Sequence, residues 1–241
     1  FGVLAGHSRL LNLFPERAQE EVWREPRALI STLFRLSGES TRVPGGYRLR
    51  NCEGRFCSGI DYSSWIILGA TVTGYAEFRE PRFFLVPRAD VIVIDDWYTA
   101  GLRGTGSRTI RIADTFVPEY RSVALADMLA GKTPGASLHR LALYRISFRD
   151  VVPFSIAGVP VGIARGAIDC FVAGLSRRRA MSTDEPPPGI AATCARLASA
   201  AAEVDAAYAL VLRDAERLDA LTDPAELSAV DRARFARNWA Y

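Results

Sequence analysis

The chain has 241 residues, 49% apolar and 24% charged, with 30 basic against 27 acidic side chains and a net charge of +3. So apolar a sequence can offset its ordering entropy by burial, which excludes intrinsic disorder and leaves a composition typical of soluble globular chains. Lys132 is the single lysine, and the arginines are scattered among acids with no stripe suited to nucleic acid.

Residues 1–24 read as helical. Leu10, Leu13 and Phe14 form an apolar face, Pro15-Glu16 opens a new turn, and Glu16 to Trp23 make a short helix with an acidic start. From about Ala28 to Val123 the pattern changes to short β-branched runs broken by Gly and Pro. These are Tyr47 to Arg50 after Gly45-Gly46, Trp65 to Leu68, Arg82 to Val86, Val91 to Ile94 and Thr109 to Ile112. Such spacing predicts an antiparallel sandwich or barrel, and the alternation in Arg48-Leu49-Arg50 and Ile110-Arg111-Ile112 gives those strands one wet face. The loop Gly104-Thr105-Gly106-Ser107 reads as a β-turn, because a strand and not a helix follows it.

From about Leu141 the chain is helical again. Val161 to Arg178 is rich in Ala and Gly, Pro186-Pro187-Pro188-Gly189 breaks it, and Ile190 to Ala220 is long and amphipathic. Asp223-Pro224 reads as an N-cap with Pro at the first helical position of a helix running to Tyr241. Long helices with short breaks suggest an antiparallel bundle. The expected domains are therefore 1–27, 28–123 and 124–241.

The longest uncharged runs, Tyr62 to Ala76 and Val151 to Ala164, are 15 and 14 residues, short of the ~18 expected of a membrane span. Cys52, Cys57, Cys170 and Cys194 lack C-x-x-C spacing and read as reduced thiols of a cytoplasmic protein. With His7 and His139 as the two histidines, no His-rich metal site is expected. The chain opens at Phe1 within an apolar stretch and stops at Tyr241 inside a helical pattern, so a segment of a longer protein is expected.

Particular residues narrow this layout. Gly45 to Leu49, then Phe56-Cys57-Ser58-Gly59, then Trp65, resemble the middle domain of acyl-CoA-dehydrogenase-fold flavoproteins. Asp95-Asp96-Trp97, Gly101 to Ser107, Phe116-Val117-Pro118-Glu119 and the string Phe14 to Trp23 resemble one branch of that superfamily, the flavin-dependent monooxygenases. These are the oxygenase components of two-component aromatic hydroxylases. The resemblance implies an α+β multidomain fold: the tail of an N-terminal helical domain, a middle antiparallel β-barrel or sandwich, and an incomplete C-terminal four-helix bundle, usually assembled as a homotetramer.

It also implies an activity. A separate flavin reductase would supply reduced FAD or FMN, which reacts with O2 to a flavin C4a-hydroperoxide that hydroxylates an aromatic or polyketide-like substrate. Ser58 matches the hydroxyl that hydrogen-bonds flavin N5, where a small donor would protect the peroxide. Phe56, Cys57 and Gly59 would lie along the isoalloxazine, and His7 would deprotonate or orient a phenol. Arg177 or Arg179 would hold the flavin phosphate. Plainer readings stand beside these: a strand end turning on Gly59, a polar helix histidine, and arginines favoured by a helix C-terminus. His139, in a polar loop, reads as structural or exposed. Cys57, Gly54 and Tyr62 depart from the Ser, Trp and His usual in the branch, which bears on substrate and on packing near Gly54. The rival enzyme on this fold is an FAD-dependent acyl-CoA dehydrogenase acting at the α,β carbons of a thioester; the non-enzyme rival is a flavin-free scaffold.

Overall fold

The computed structural model describes residues 9–74, 78–180 and 189–240, and the chain divides into two compact units, Phe1–Arg149 and Asp150–Tyr241. In the first unit, helix α1 (Glu16–Trp23) precedes strands β1 (Ile30–Leu33), β2 (Ser37–Val43), β3 (Gly46–Cys57) and β4 (Trp65–Thr73). Next come β5 (Arg79–Pro87), β6 (Ile92–Ile94), β7 (Arg108–Pro118), β8 (Ser122–Ala124) and a short helix α2 (Leu125–Ala130).

One eight-stranded sheet runs β6-β7-β3-β2-β4-β5-β8, with β1 beside β4. Most ladders are antiparallel as expected, but β1 and β2 both meet β4 in parallel. β2, with the sequence Ser-Gly-Glu-Ser-Thr-Arg-Val, is too polar to announce itself as a strand.

Alternation on β4 and β5 feeds two cores at once. Ile66, Leu68, Phe84 and Val86 point into one with Tyr47, Leu49, Cys57 and Ile110, where the Tyr47 and Phe84 rings sit 5.1 Å apart. Ile67, Phe83 and Leu85 point into the other, which Leu10, Leu11, Phe14, Ala18, Val22 and Met128 close. Burial on both sides explains why Trp65 to Leu68 reads as an unbroken apolar run. The predicted wet face is present on β3 and β7, where Arg48 and Arg50 share Asp114, and Arg111 pairs with Glu53 at 2.7 Å.

The division at Arg149/Asp150 differs from the expected boundaries at 27/28 and 123/124. The physical reason lies in the second core: the sheet's apolar face is closed by residues 10–22 from before it and by α2 after it. Glu21 on α1 receives Nε of Arg121 at 2.8 Å, which fastens the helix to the β7–β8 connection.

The second unit contains α3 (Phe148–Ala180, whose first two residues belong to the first unit), α4 (Ile190–Asp219) and α5 (Ala229–Ala240). Asp223 is a cap, but of a single 3-10 turn at Pro224–Glu226: its carboxylate accepts from Ala225 N, while Glu226 accepts from Asp223 N. Leu227 then returns to extended backbone and Ser228 caps α5, accepting from Asp231 N at 3.1 Å. The helix therefore starts five residues later than predicted. The absence of an 18-residue uncharged run also needs correction as a membrane test. Across Arg165 and Asp169, the Phe148–Arg179 stretch is long and apolar enough by length and composition to cross a membrane, with mean hydropathy 1.6 in its most apolar window.

Candidate flavin site

β3 and β7 pair in regular register from Gly46↔Pro118 to Arg50↔Asp114, and again from Cys52↔Ile112 to Gly54↔Ile110, but Cys57 then faces Arg108. One extra residue is thus accommodated between Gly54 and Cys57, a β-bulge of the kind that re-aims side chains at sheet ends. Phe56 sits in it at φ +66, a left-handed conformation that costs a bulky residue roughly 1–2 kcal/mol. The result is an aromatic ring held in the open: Phe56 is 65% exposed, edge-on to Trp97 at 6.0 Å. Strain of this sort at an exposed aromatic points to a surface built to meet something.

Cys57 turns the other way. Its thiol is fully buried in the sheet core, and burial pushes its pKa up to about 12. The expectation that Cys57 lines a flavin edge is therefore corrected: the whole residue is buried, and its thiol belongs to the sheet core. Ser58 follows, half-buried, with its carbonyl receiving Ser31 Oγ at 3.0 Å. Gly59 turns the chain at φ +79, a conformation open to glycine without strain, and its N–H donates to the Thr105 carbonyl at 2.7 Å.

That last bond brings in the β6–β7 loop. Gly104 to Ser107 is not the simple β-turn expected but a 3-10 turn, Arg103–Thr105, flanked by left-handed Leu102 and Gly106. Arg108 clamps the loops together through Asp61 at 2.9 Å and Asp95, and Thr109 N donates to Asp96. Hydrogen bonds from Thr109 hold the Asp96 carboxyl below the usual carboxylate range. The loop delivers Ser107 Oγ to 2.6 Å from Ser58 Oγ and Thr105 Oγ1 to 2.7 Å from Ser107 Oγ. Trp97 donates from Nε1 to the Leu102 carbonyl at 3.1 Å, which sets its ring beside Phe56.

This cluster joins a half-buried serine hydroxyl to an aromatic pair on adjoining segments, with exposed Tyr62, Tyr98 and Leu102 on the same loops and open space above Gly101 and Gly104. A flat heterocycle that is apolar on its faces and polar at its edge fits these residues. Gly54 leaves no extra room: a Cβ there would lie 2.1 Å from Leu33 Cδ2, so its space is filled by core packing.

Of the predicted residues, the fold brings Phe56, Cys57, Ser58 and Gly59 to this one place. Arg177 and Arg179 stand exposed in the last turn of α3, in the second unit. His7 lies outside the described residues. His139 is structural, 3.3 Å from Gln19 Oε1 and stacked on Tyr144. Sequence reasoning missed Ser107 and Thr105; the Gly101-to-Ser107 string held them, but only the loop's return to Gly59 shows their part. A separate cleft of about 640 Å³, lined by Arg17, Arg82, Glu119 and Tyr120, lies at the opposite end of the β3–β7 ladder.

Comparison with known proteins agrees with this layout. Residues 154–241, which include most of α3, match the family described as acyl-CoA dehydrogenase, C-terminal domain. The chain is 37% identical to a pigment production hydroxylase of a Rhodococcus species over 96% of this chain and 59% of that protein. It is 35% identical to the oxygenase component of an FADH2-dependent resorcinol hydroxylase of a Rhizobium species, with the same coverage. Among solved structures, the HsaA monooxygenase of Mycobacterium tuberculosis superposes with a TM-score of 0.87 at 31% identity, covering 99% of this chain and 61% of that one. The chain thus spans about six-tenths of the length of these relatives. It is a homologue of the oxygenase components of flavin-dependent monooxygenases and has the acyl-CoA dehydrogenase-like fold.

Proposed function

We propose that this chain carries the flavin face of a reduced-flavin-dependent monooxygenase, the oxygenase component of a two-component system hydroxylating an aromatic or polyketide-like substrate. The observation that supports it most is the bulge at Phe56, which strains the backbone to set an exposed ring against Trp97 two residues before Ser58. Bound reduced FAD or FMN would supply the electrons that activate O2. The chain's own part is to orient and shield: Phe56 and Trp97 wall the ring, Ser58 meets N5, and the turn at Gly59 holds Ser58 in place. His7 is the proposed base or substrate orienter, and Arg177 or Arg179 the phosphate ligand. A separate flavin reductase, a cytoplasmic setting and a homotetramer complete the reading.

The test supplies the protein with a reductase, flavin, O2 and a panel of phenols. Oxygen-dependent formation of hydroxylated product is expected. Replacing Ser58 by Ala should divert about tenfold more oxygen to free hydrogen peroxide, the value of one hydrogen bond. No product from any phenol, together with anaerobic bleaching of bound FAD by an acyl-CoA, would overturn the proposal in favour of a dehydrogenase.

A further inference from the structure

We propose that Ser107 and Thr105 lock the Ser58 hydroxyl as a hydrogen-bond acceptor, so that the site discriminates between flavin redox states and favours the reduced one. The inference rests on the reading that Ser58 meets flavin N5, and it reverses the donor role that the sequence alone suggested for that hydroxyl.

Three short oxygen–oxygen contacts run in series: Ser58 Oγ to Ser107 Oγ at 2.6 Å, Ser107 Oγ to Thr105 Oγ1 at 2.7 Å, and Thr105 Oγ1 to the Leu102 carbonyl at 2.9 Å. At such distances each contact needs one proton between its oxygens. A carbonyl has none to give, so the last proton is that of Thr105, on an oxygen it shares with Trp97 Nε1 and Thr105 N. Thr105 must then accept from Ser107, and Ser107 must accept from Ser58. Three hydroxyls supply three protons to three contacts, and one assignment satisfies them all. Ser107, in the middle of the chain, is 6% exposed, while the Thr105–Leu102 link lies at the surface.

The consequence falls on Ser58. Its proton is committed to Ser107, which leaves its lone pairs to accept from a ligand. Oxidised flavin presents a bare N5 acceptor, which would meet those lone pairs without a proton. Reduced flavin presents N5–H, a donor matched to them. Ser107 and Thr105 act through Ser58 and are positioning residues.

The experiment measures the dissociation constants of oxidised flavin and, anaerobically, of reduced flavin, together with the midpoint potential of the bound flavin. The unaltered protein should favour reduced flavin by about tenfold from this bond, about 30 mV upward for a two-electron couple. Ser107→Ala frees the Ser58 proton to donate to oxidised N5. Thr105→Val removes the terminal link while keeping the branched shape. Both should abolish the preference by tightening oxidised flavin, a gain that misfolding cannot produce, whereas Ser107→Thr should keep it. In a Ser58→Ala background, adding Ser107→Ala should change nothing further.

If Ser58→Ala lowers the preference but Ser107→Ala and Thr105→Val leave it intact, or weaken both redox states equally, the locked polarity is overturned and the N5 contact stands. If Ser58→Ala itself leaves the preference unchanged, the N5 reading falls, and the inference with it.

Discussion

In the sheet unit, Ile66, Ile67 and Leu68 are each sealed, on one face or the other, whereas α3 leaves Ile156, Val159, Ile163, Phe171 and Val172 in the open. Among the described residues, the second unit buries only Val151, Leu218, Leu227 and Phe235 as apolar side chains, together with the carboxylates of Asp214 and Asp231. The contrast is one of geometry. A strand buried on both faces satisfies its apolar residues within one sheet, while a helix that is apolar nearly all round needs neighbours on every side. The sheet unit thus holds two sealed cores of its own, and three of its exposed aromatics, Phe56, Tyr62 and Tyr98, lie on the loops of the candidate site.

The cysteines break or sharpen that comparison with the largest effect. Cys52 and Cys57 are buried in the first unit, and Cys170 and Cys194 are exposed in the second. A pKa raised from 9 to about 12 leaves the Cys57 thiol roughly a thousandfold less ionised at pH 8 than an unperturbed thiol. Native alkylation followed by peptide mass mapping should label Cys170 and Cys194 and spare Cys52 and Cys57. Protection of the α3 and α4 thiols would show that their faces are covered in solution.

Paired truncations come next. Phe84→Ala in the sheet core should cost about 3–5 kcal/mol in chemical denaturation. Phe171→Ala, at a position 48% exposed, should change stability by less than about 1 kcal/mol. A cost above about 2 kcal/mol for the second would mark Phe171 as part of a buried interface and end the contrast between the units.

The smallest effect is electrostatic. The hydrogen bond from Arg121 holds the Glu21 carboxyl below its usual 4.5. A depressed carboxylate contributes stability that is complete above its unfolded pKa and lost as pH falls through the folded one. Glu21→Gln should cost about 1–2 kcal/mol at pH 7, and the gap should close as the pH falls below about 4.5, measured by thermal melts across pH.

Much of the architecture was legible because local chemistry wrote it. The α1 boundaries follow from Pro15-Glu16, the start of β3 from Gly45-Gly46, and the wet face of β3 and β7 from the arginine alternation. Elements whose identity depends on neighbours were not legible. β2 is a strand because β3 and β4 flank it, and α5 begins at Ala229, after the Ser228 cap, because the Asp223 cap is spent on one 3-10 turn.

The same division runs through the site. The sequence by itself determined which residues are available: the Phe56-to-Gly59 string, the Gly101-to-Ser107 loop and the thiol beside them. Tertiary structure decided what each does. Register between β3 and β7 created the bulge that turns Phe56 out and Cys57 in. Return of the β6–β7 loop onto Gly59 placed Ser107 against Ser58, 49 residues away in sequence. A hydroxyl's direction depends on the partner that takes its proton, and that partner is fixed only when distant segments meet.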